Sequence, residues 1–254
     1  MTERILSNPA LAVAAMFALT AITSAQSAGT AAPAAKTQNQ ASPRMPDGHP
    51  DFQGVWQHPY VPDMSKDRQF QKGAGELPFT PAGADNFKTY DPAKFDYTGH
   101  CLPFGLLRSI NVGGYPIQIM QNSTYISLLF EQNTWFNVIY MDGRPHPAKL
   151  DPTWFGHSIG KWEGDTLVVD TVGFNGRTRL DTLGHPHSDA MHVIQRYTYT
   201  DVDHIAYEVT IDDPKMYTRP WKNTRTFWRM NPGEELIEYS CEENNRDFTE
   251  GHIK

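Results

Sequence analysis

Cysteine is scarce in this chain: its 254 residues include two, Cys101 and Cys241, so at most one intramolecular bridge can form. Positive charge is sparse too. The net charge is -7, with 22 Lys and Arg against 29 Asp and Glu, and no basic cluster interrupts the acidic balance, which argues against nucleic acid and anionic membrane as partners. The long apolar run is confined to residues 10–22, shorter than the ~20 residues a membrane-spanning helix needs. No G-x-S-x-G turn offers a serine nucleophile, and no glycine-rich loop precedes a helix, which argues against dinucleotide and ATP chemistry. Amphipathic helical spacing is missing as well, and this turns attention to strands.

Residues 1–25 combine a short polar start carrying Arg4, the apolar run, and small residues at Thr23 and Ala25. They read as a cleaved export signal. Residues 26–46, built of Ala, Gln, Ser, Thr and Pro, lack the apolar bulk needed to offset ordering and read as a disordered tether. Residues 47–254 have the size of a single β-domain. The expected location is periplasmic or secreted, with no membrane insertion after signal cleavage. In such an oxidising compartment the two cysteines are expected to pair.

The domain divides into an irregular Pro-, Gly- and Asp-rich wrapping segment (47–114), a strand meander (115–244) and a tail (245–254). A short strand is expected at 52–57, then others at 115–121, 124–131, 134–141, 156–162, 165–172, 191–200, 204–211, 223–230 and 234–241. They are rich in β-branched and aromatic residues, and turn signals such as Asn231-Pro232-Gly233 separate them. Neighbouring strands joined in sequence predict an all-β, antiparallel up-and-down barrel, because closure removes exposed edges. A β-sandwich is the alternative.

Gly54-Val55-Trp56 resembles the G-x-W motif that opens lipocalins and other calycins. The resemblance implies a barrel with an internal ligand site, its base closed by Trp56 against a late-strand arginine, Arg225 or Arg229. PDGHPDFQGVW, MDGRPHP, GHSIGKWEGDTLVVDTVGF, the D-x-x-GHPHS run of residues 181–188 and TIDDPKMYTRPW are together similar to a large group of exported bacterial β-rich proteins. That likeness implies export and carries no activity with it.

The connection between the strands at 165–172 and 191–200 is dense in acid and base: Arg177, Arg179, Asp181, His185, His187, Asp189 and His192. Imidazoles exchange protons near neutrality. The reading is an enzyme without cofactor, a lyase, isomerase or hydrolase acting on a small apolar or aromatic molecule held in the barrel. His187 and His157 would be proton carriers, Asp181 the orienter of His187, and Glu131 a second acid or base. Tyr140 or Arg179 would hold an oxyanion; Trp154, Phe155 and Phe174 would line the pocket. The alternatives are a non-catalytic periplasmic carrier of the same ligand, and an enzyme whose single divalent transition metal sits on His185, His187, Asp189 and His192, although that spacing matches no zinc signature. An envelope-associated structural protein, with no enclosed pocket, is a further possibility. For each histidine the plain reading is a strand-end or loop residue bonded to backbone.

Overall fold

A computed structural model describes residues 41–112 and 114–243. The segment expected to be an export signal (1–25), residues 26–40 of the expected tether and the tail 245–254 lie outside the described residues. Among the described residues there are ten strands: β1 (Gly54–Gln57), β2 (Gln71–Lys72), β3 (Ile117–Gln121), β4 (Tyr125–Phe130), β5 (Phe136–Tyr140), β6 (His157–Glu163), β7 (Thr166–Val172), β8 (His192–Asp201), β9 (His204–Asp212) and β10 (Trp221–Arg229). They bond in the order β1-β3-β4-β5-β6-β7-β8-β9-β10, and β1 returns to β10, which closes the barrel. The two-residue β2 pairs with the middle of β10, beyond the stretch that β1 covers.

The period-2 pattern of the sequence is the reason for closure. In β9, Ile205, Tyr207, Val209 and Ile211 are buried and alternate with outward residues, so one face of each strand has to be covered. The meander is antiparallel except at one place. Between β5 and β6 residues 141–156 carry the chain back to the end it started from, so β6 runs parallel to β5 with Ile139 opposite Ser158. The expected all-antiparallel meander is corrected there.

The barrel interior is packed with side chains rather than kept open for a ligand. Ile126, Leu128 and Phe130 fill one wall and Tyr197, Tyr207 and Phe227 another. The inward polar residues bond one another: Gln195 Nε2 donates to the hydroxyls of Tyr197 (3.1 Å) and Tyr207 (2.9 Å), Ser158 and Thr171 share a bond of 2.9 Å, and Arg225 donates to Asn223 and Asn111. The charged residues on the mixed face of β8, His192 and Arg196, point outward.

Trp56 closes one end. Its Nε1 donates to Phe52 O (2.8 Å), and the Arg229 guanidinium lies 4.3 Å over its ring while donating to Gln53 O (2.9 Å) and Tyr199 Oη (2.7 Å). The glycine of the G-x-W motif has a steric cause: φ is +131° at Gly54, and a Cβ there would come within 2.5 Å of Arg229 Nη1. Arg229, not Arg225, is therefore the partner that the calycin likeness calls for.

The wrapping segment holds more helix than its composition suggests: α1 (Pro81–Thr89), α2 (Pro92–Phe95) and α3 (Leu106–Asn111), the last wholly buried. Thr80 caps α1 by accepting from Gly83 N, with Pro81 at the first turn, a helix start inside the segment expected to be irregular. Residues 234–241 form no ladder; Asn231-Pro232-Gly233 makes the expected turn, but beyond it the chain finds no strand to pair with. Cys101 and Cys241 form the disulfide, with Cα atoms 5.5 Å apart, and it secures this extended piece rather than a last strand. At the other end of the chain, Arg44, placed in the tether, grips Asp165 with bonds of 2.5 and 2.7 Å.

Candidate functional site

The starts of β6, β8 and β10 and the ends of β7 and β9 form one rim of the barrel, opposite the Trp56 end. The histidine-rich connection, residues 173–191, crosses this rim. Its middle is a tight hairpin in which Arg179 bridges Pro186 and Leu180 N donates to His185 O (2.9 Å).

Asp181 organises the hairpin. It is 0 % exposed, and both carboxylate oxygens are fully used. Oδ1 accepts from the backbone N–H of Gly184 (3.1 Å) and His185 (3.2 Å); Oδ2 accepts from Met64 N (2.8 Å) and from His185 Nδ1 (2.6 Å). Gly184 permits the turn with φ +95°, and a Cβ there would strike the Tyr90 ring at 2.1 Å. The D-x-x-G-H spacing thus sets a carboxylate and an imidazole four residues apart in contact. Asp181 orients His185, and not His187 as the sequence suggested.

Since His185 donates its Nδ1 proton to Asp181, its Nε2 is the nitrogen left for chemistry. That atom has no partner among the described residues. Phe87 of α1 stacks on the ring with centroids 4.6 Å apart, and the imidazole lines a groove of about 740 Å³. Leu77, Phe79, Phe87 and Leu183 give this groove one apolar side, and Asp63, Ser65, Lys66, Asp67, Lys72 and Glu76 give it a polar, largely charged one. A concave surface that joins an apolar side to polar groups can hold and orient a small molecule.

A divalent metal fits this donor set poorly. Among the described residues, Asp63, Asp181 and His185 have ligand atoms within 4.8 Å of one another. The Asp181 oxygens already accept four hydrogen bonds, one of them from the His185 nitrogen that faces them, and Asp63 Oδ1 accepts from Ser65 N and Oγ (2.8 and 2.6 Å). These donors orient an imidazole; they do not form an open coordination shell.

His187 is buried two residues on. Its Nδ1 lies 3.1 Å from Ser188 O, so it carries the proton, and its Nε2 accepts from the Thr178 hydroxyl at 2.5 Å. Burial pushes its pKa down to about 4, against the opposing pull of the Ser188 carbonyl and Asp213. Both nitrogens are spent inside the protein, which makes His187 a structural tie rather than a proton carrier. Asp189 is exposed and paired with Lys215 (2.6 Å), and His192 turns to Asp170. The four proposed metal ligands therefore bond to four different partners.

A second carboxylate–imidazole group lies at the same rim. Asp170 Oδ1 accepts from His192 Nε2 (2.8 Å) and His146 Nε2 (3.1 Å), and His146 Nδ1 lies 2.8 Å from His157 Nδ1. The neutral arrangement runs as a chain, His157 donating to His146 and His146 to Asp170. Burial by itself would raise the Asp170 carboxyl, but the bonds from His192 and His146 together bring it below the usual range. The bond to Asp170 raises His192. Burial, helped by the charges of His146 and Arg144, lowers His157. Tyr140 stacks on His157 at 5.4 Å, and Arg144 lies 4.2 Å over Tyr140.

The remaining predicted residues separate. Glu131 accepts from Ile237 N (3.0 Å) and meets no histidine. Phe155 packs against Phe130 and Trp135 at the edge of the core, Trp154 lies under Arg177, and Phe174 is buried beside His187. Arg179 sits against Tyr90. His157, Asp181, His187 and Glu131 thus do not converge on one cavity. His146, Asp63 and Phe87 went unread, and His185 was read only as a metal ligand; the pointer available was Gly184 in D-x-x-G-H, whose freedom of φ brings His185 back onto Asp181. No family model, curated protein or solved structure matches this chain.

Proposed function

We propose that this chain is an exported enzyme, working without an organic cofactor, that moves protons on a small apolar or aromatic molecule lying in the groove over His185. The reaction class is lyase, isomerase or hydrolase. The observation that carries this reading is the 2.6 Å bond between the fully buried Asp181 and His185 Nδ1, which leaves Nε2 directed away from the carboxylate. In the reaction, His185 Nε2 takes a proton from substrate or from a bound water; the imidazolium so formed is stabilised by Asp181 and returns the proton to the leaving group or to a neighbouring atom. Because Asp181 is held by three backbone N–H groups, the ring needs no reorientation between these steps.

The packed barrel interior favours this external groove over a carrier that encloses its ligand. The disulfide suits an oxidising compartment, in keeping with the export signal read in the sequence. The test is turnover of a panel of aryl esters, lactones and β-substituted aryl acids by the wild-type protein and by His185→Gln. A loss of about 10²-fold or more is expected, with the melting temperature little changed. Equal turnover in the variant would remove His185 from the mechanism.

A further inference from the structure

Among the described residues two arginines are buried, and they are balanced differently. Arg108 is 4 % exposed and pairs with Asp96, its two terminal nitrogens reaching the carboxylate at 3.0 and 2.6 Å. Arg225 is 3 % exposed and bonds only to neutral groups. Its Nε donates to Asn223 Oδ1 (3.0 Å) and its Nη1 to Asn111 Oδ1, with Ile110 O at 3.5 Å. Its Nη2 has no partner among the described residues. The position is unusual for β10, whose inward face otherwise presents Trp221 and Phe227. Burial lowers the pKa of Arg225, and the charges of Tyr207, Tyr197 and Asp181 oppose that. Withdrawing a cation from water without an anion is costly.

Asp181 presents the complementary problem, a buried carboxylate with no Arg or Lys among the described residues within ion-pairing distance. Two relays join it to Arg225. In the first, Asn223 accepts from Arg225 and donates its Nδ2 to Met64 O (3.0 Å), while Met64 N donates to Asp181 Oδ2 (2.8 Å). In the second, Asn111, the last residue of α3, accepts from Arg225 and donates to Leu180 O, next to Asp181 in the chain. Both asparagines are buried. Arginine only donates and a carbonyl only accepts, so neither amide can turn over without losing both bonds. Each amide points its oxygen at the cation and its N–H₂ toward the segments that hold Asp181. The relays are thus polarised in one sense, from Arg225 to the carboxylate.

We infer that Arg225 is a positioning residue of this site: through Asn111 and Asn223 it balances the charge of Asp181 and fixes the hairpin on which Asp181 meets His185. Arg225 does not line the groove over His185, so its effect falls on the rate of turnover and not on binding. The inference rests on the catalytic reading above for its part in turnover, but not for the charge balance.

The experiment is a double-mutant cycle on the full-length protein, with denaturant melts of wild type, Arg225→Gln, Asp181→Asn and the two together. The folding constant of the double variant is expected to exceed, at least about tenfold, the value to which the single effects multiply. Where a single variant does not fold, the double variant is still expected to, and its failure to fold overturns the inference. Additive effects overturn it as well. So does an equal coupling of Arg225→Gln to Asp170→Asn, since Asp170 bonds His146 and His192 and stands outside both relays. In turnover of the aryl panel, Arg225→Gln is expected to lower kcat about tenfold with KM unchanged, and Arg225→Lys, which keeps the charge, to restore much of it. A loss carried by KM, or no rescue by lysine, overturns the positioning role. Coupling in the melts alongside undiminished turnover in His185→Gln would instead sink the catalytic reading and leave the buried charge balance standing.

Discussion

Asp181 and Asp170 stand at the same rim of one barrel and each bonds an imidazole, yet their surroundings give them different work. Asp181 is buried, holds three backbone N–H groups and one ring, and faces a groove through that ring. Asp170 is half-exposed and shared between His146 and His192. The first carboxylate has a single geometry and one imidazole to orient. The second belongs to a group of three histidines whose protons can rearrange with pH. On the proposed reading, burial and saturation of the carboxylate, more than the number of histidines, set the catalytic group apart.

The sharpest way to break this comparison is to remove one imidazole from each group. His185→Gln is expected to lower turnover by about 10²-fold or more, and His192→Gln to leave it within a few-fold; the reverse order in a rate assay would exchange the roles of the two groups.

Acid titration separates buried from exposed histidines. His187 and His58 have folded pKa values near 4, both lowered chiefly by burial. The unfolded chain therefore binds these protons first. Stability is intact above about pH 6.5 and falls as pH drops toward 4, by about 3 kcal/mol for each residue. Denaturant melts between pH 7 and 4 should show this slope, and His187→Gln should flatten it; an unchanged slope would mean that His187 takes up its proton in the folded state.

Replacing each carboxylate by its amide comes next. Asp181→Asn sets an amide N–H₂ among donors that need an acceptor and should cost about 3 kcal/mol. Asp170→Asn, partly in water, should cost less than about 1 kcal/mol. Chemical denaturation measures both, and equal costs would erase the distinction.

The smallest effect is the pH response of the half-exposed pair. His192 is raised by Asp170, so its contribution is complete below its ordinary value and fades as pH rises through the raised one. Asp170 is lowered, so its contribution holds above the ordinary carboxylate value and fades as pH falls through the lowered one. NMR titration of His192 should show a drop in its pKa in Asp170→Asn; no drop would mean that the 2.8 Å bond does not persist in solution.

Much of the barrel is legible along the chain. Alternation located β3 to β10, and Gly54-Val55-Trp56 with a late arginine anticipated the closed end, where Gly54 yields its Cβ space to Arg229. Residues 234–241 alternate like a strand but meet no partner, and the parallel β5–β6 pair depends on where residues 141–156 lead. Thr80-Pro81 announced α1, but its few apolar residues hid it.

The site was legible as a concentration of acid and base and illegible as a pairing. The sequence reading pairs Asp181 with His187, whereas the turn at Gly184 delivers His185, and His187 spends both ring nitrogens inside the protein. Period, turn residues and cysteine count belong to the chain itself, because a strand's face, a turn's handedness and a single possible disulfide are set by neighbours in sequence and by composition. The union of Asp181 with Met64, of Phe87 with His185 and of Asp170 with His146 joins segments far apart in sequence, and only barrel closure and the wrapping of α1 over the rim bring them within reach.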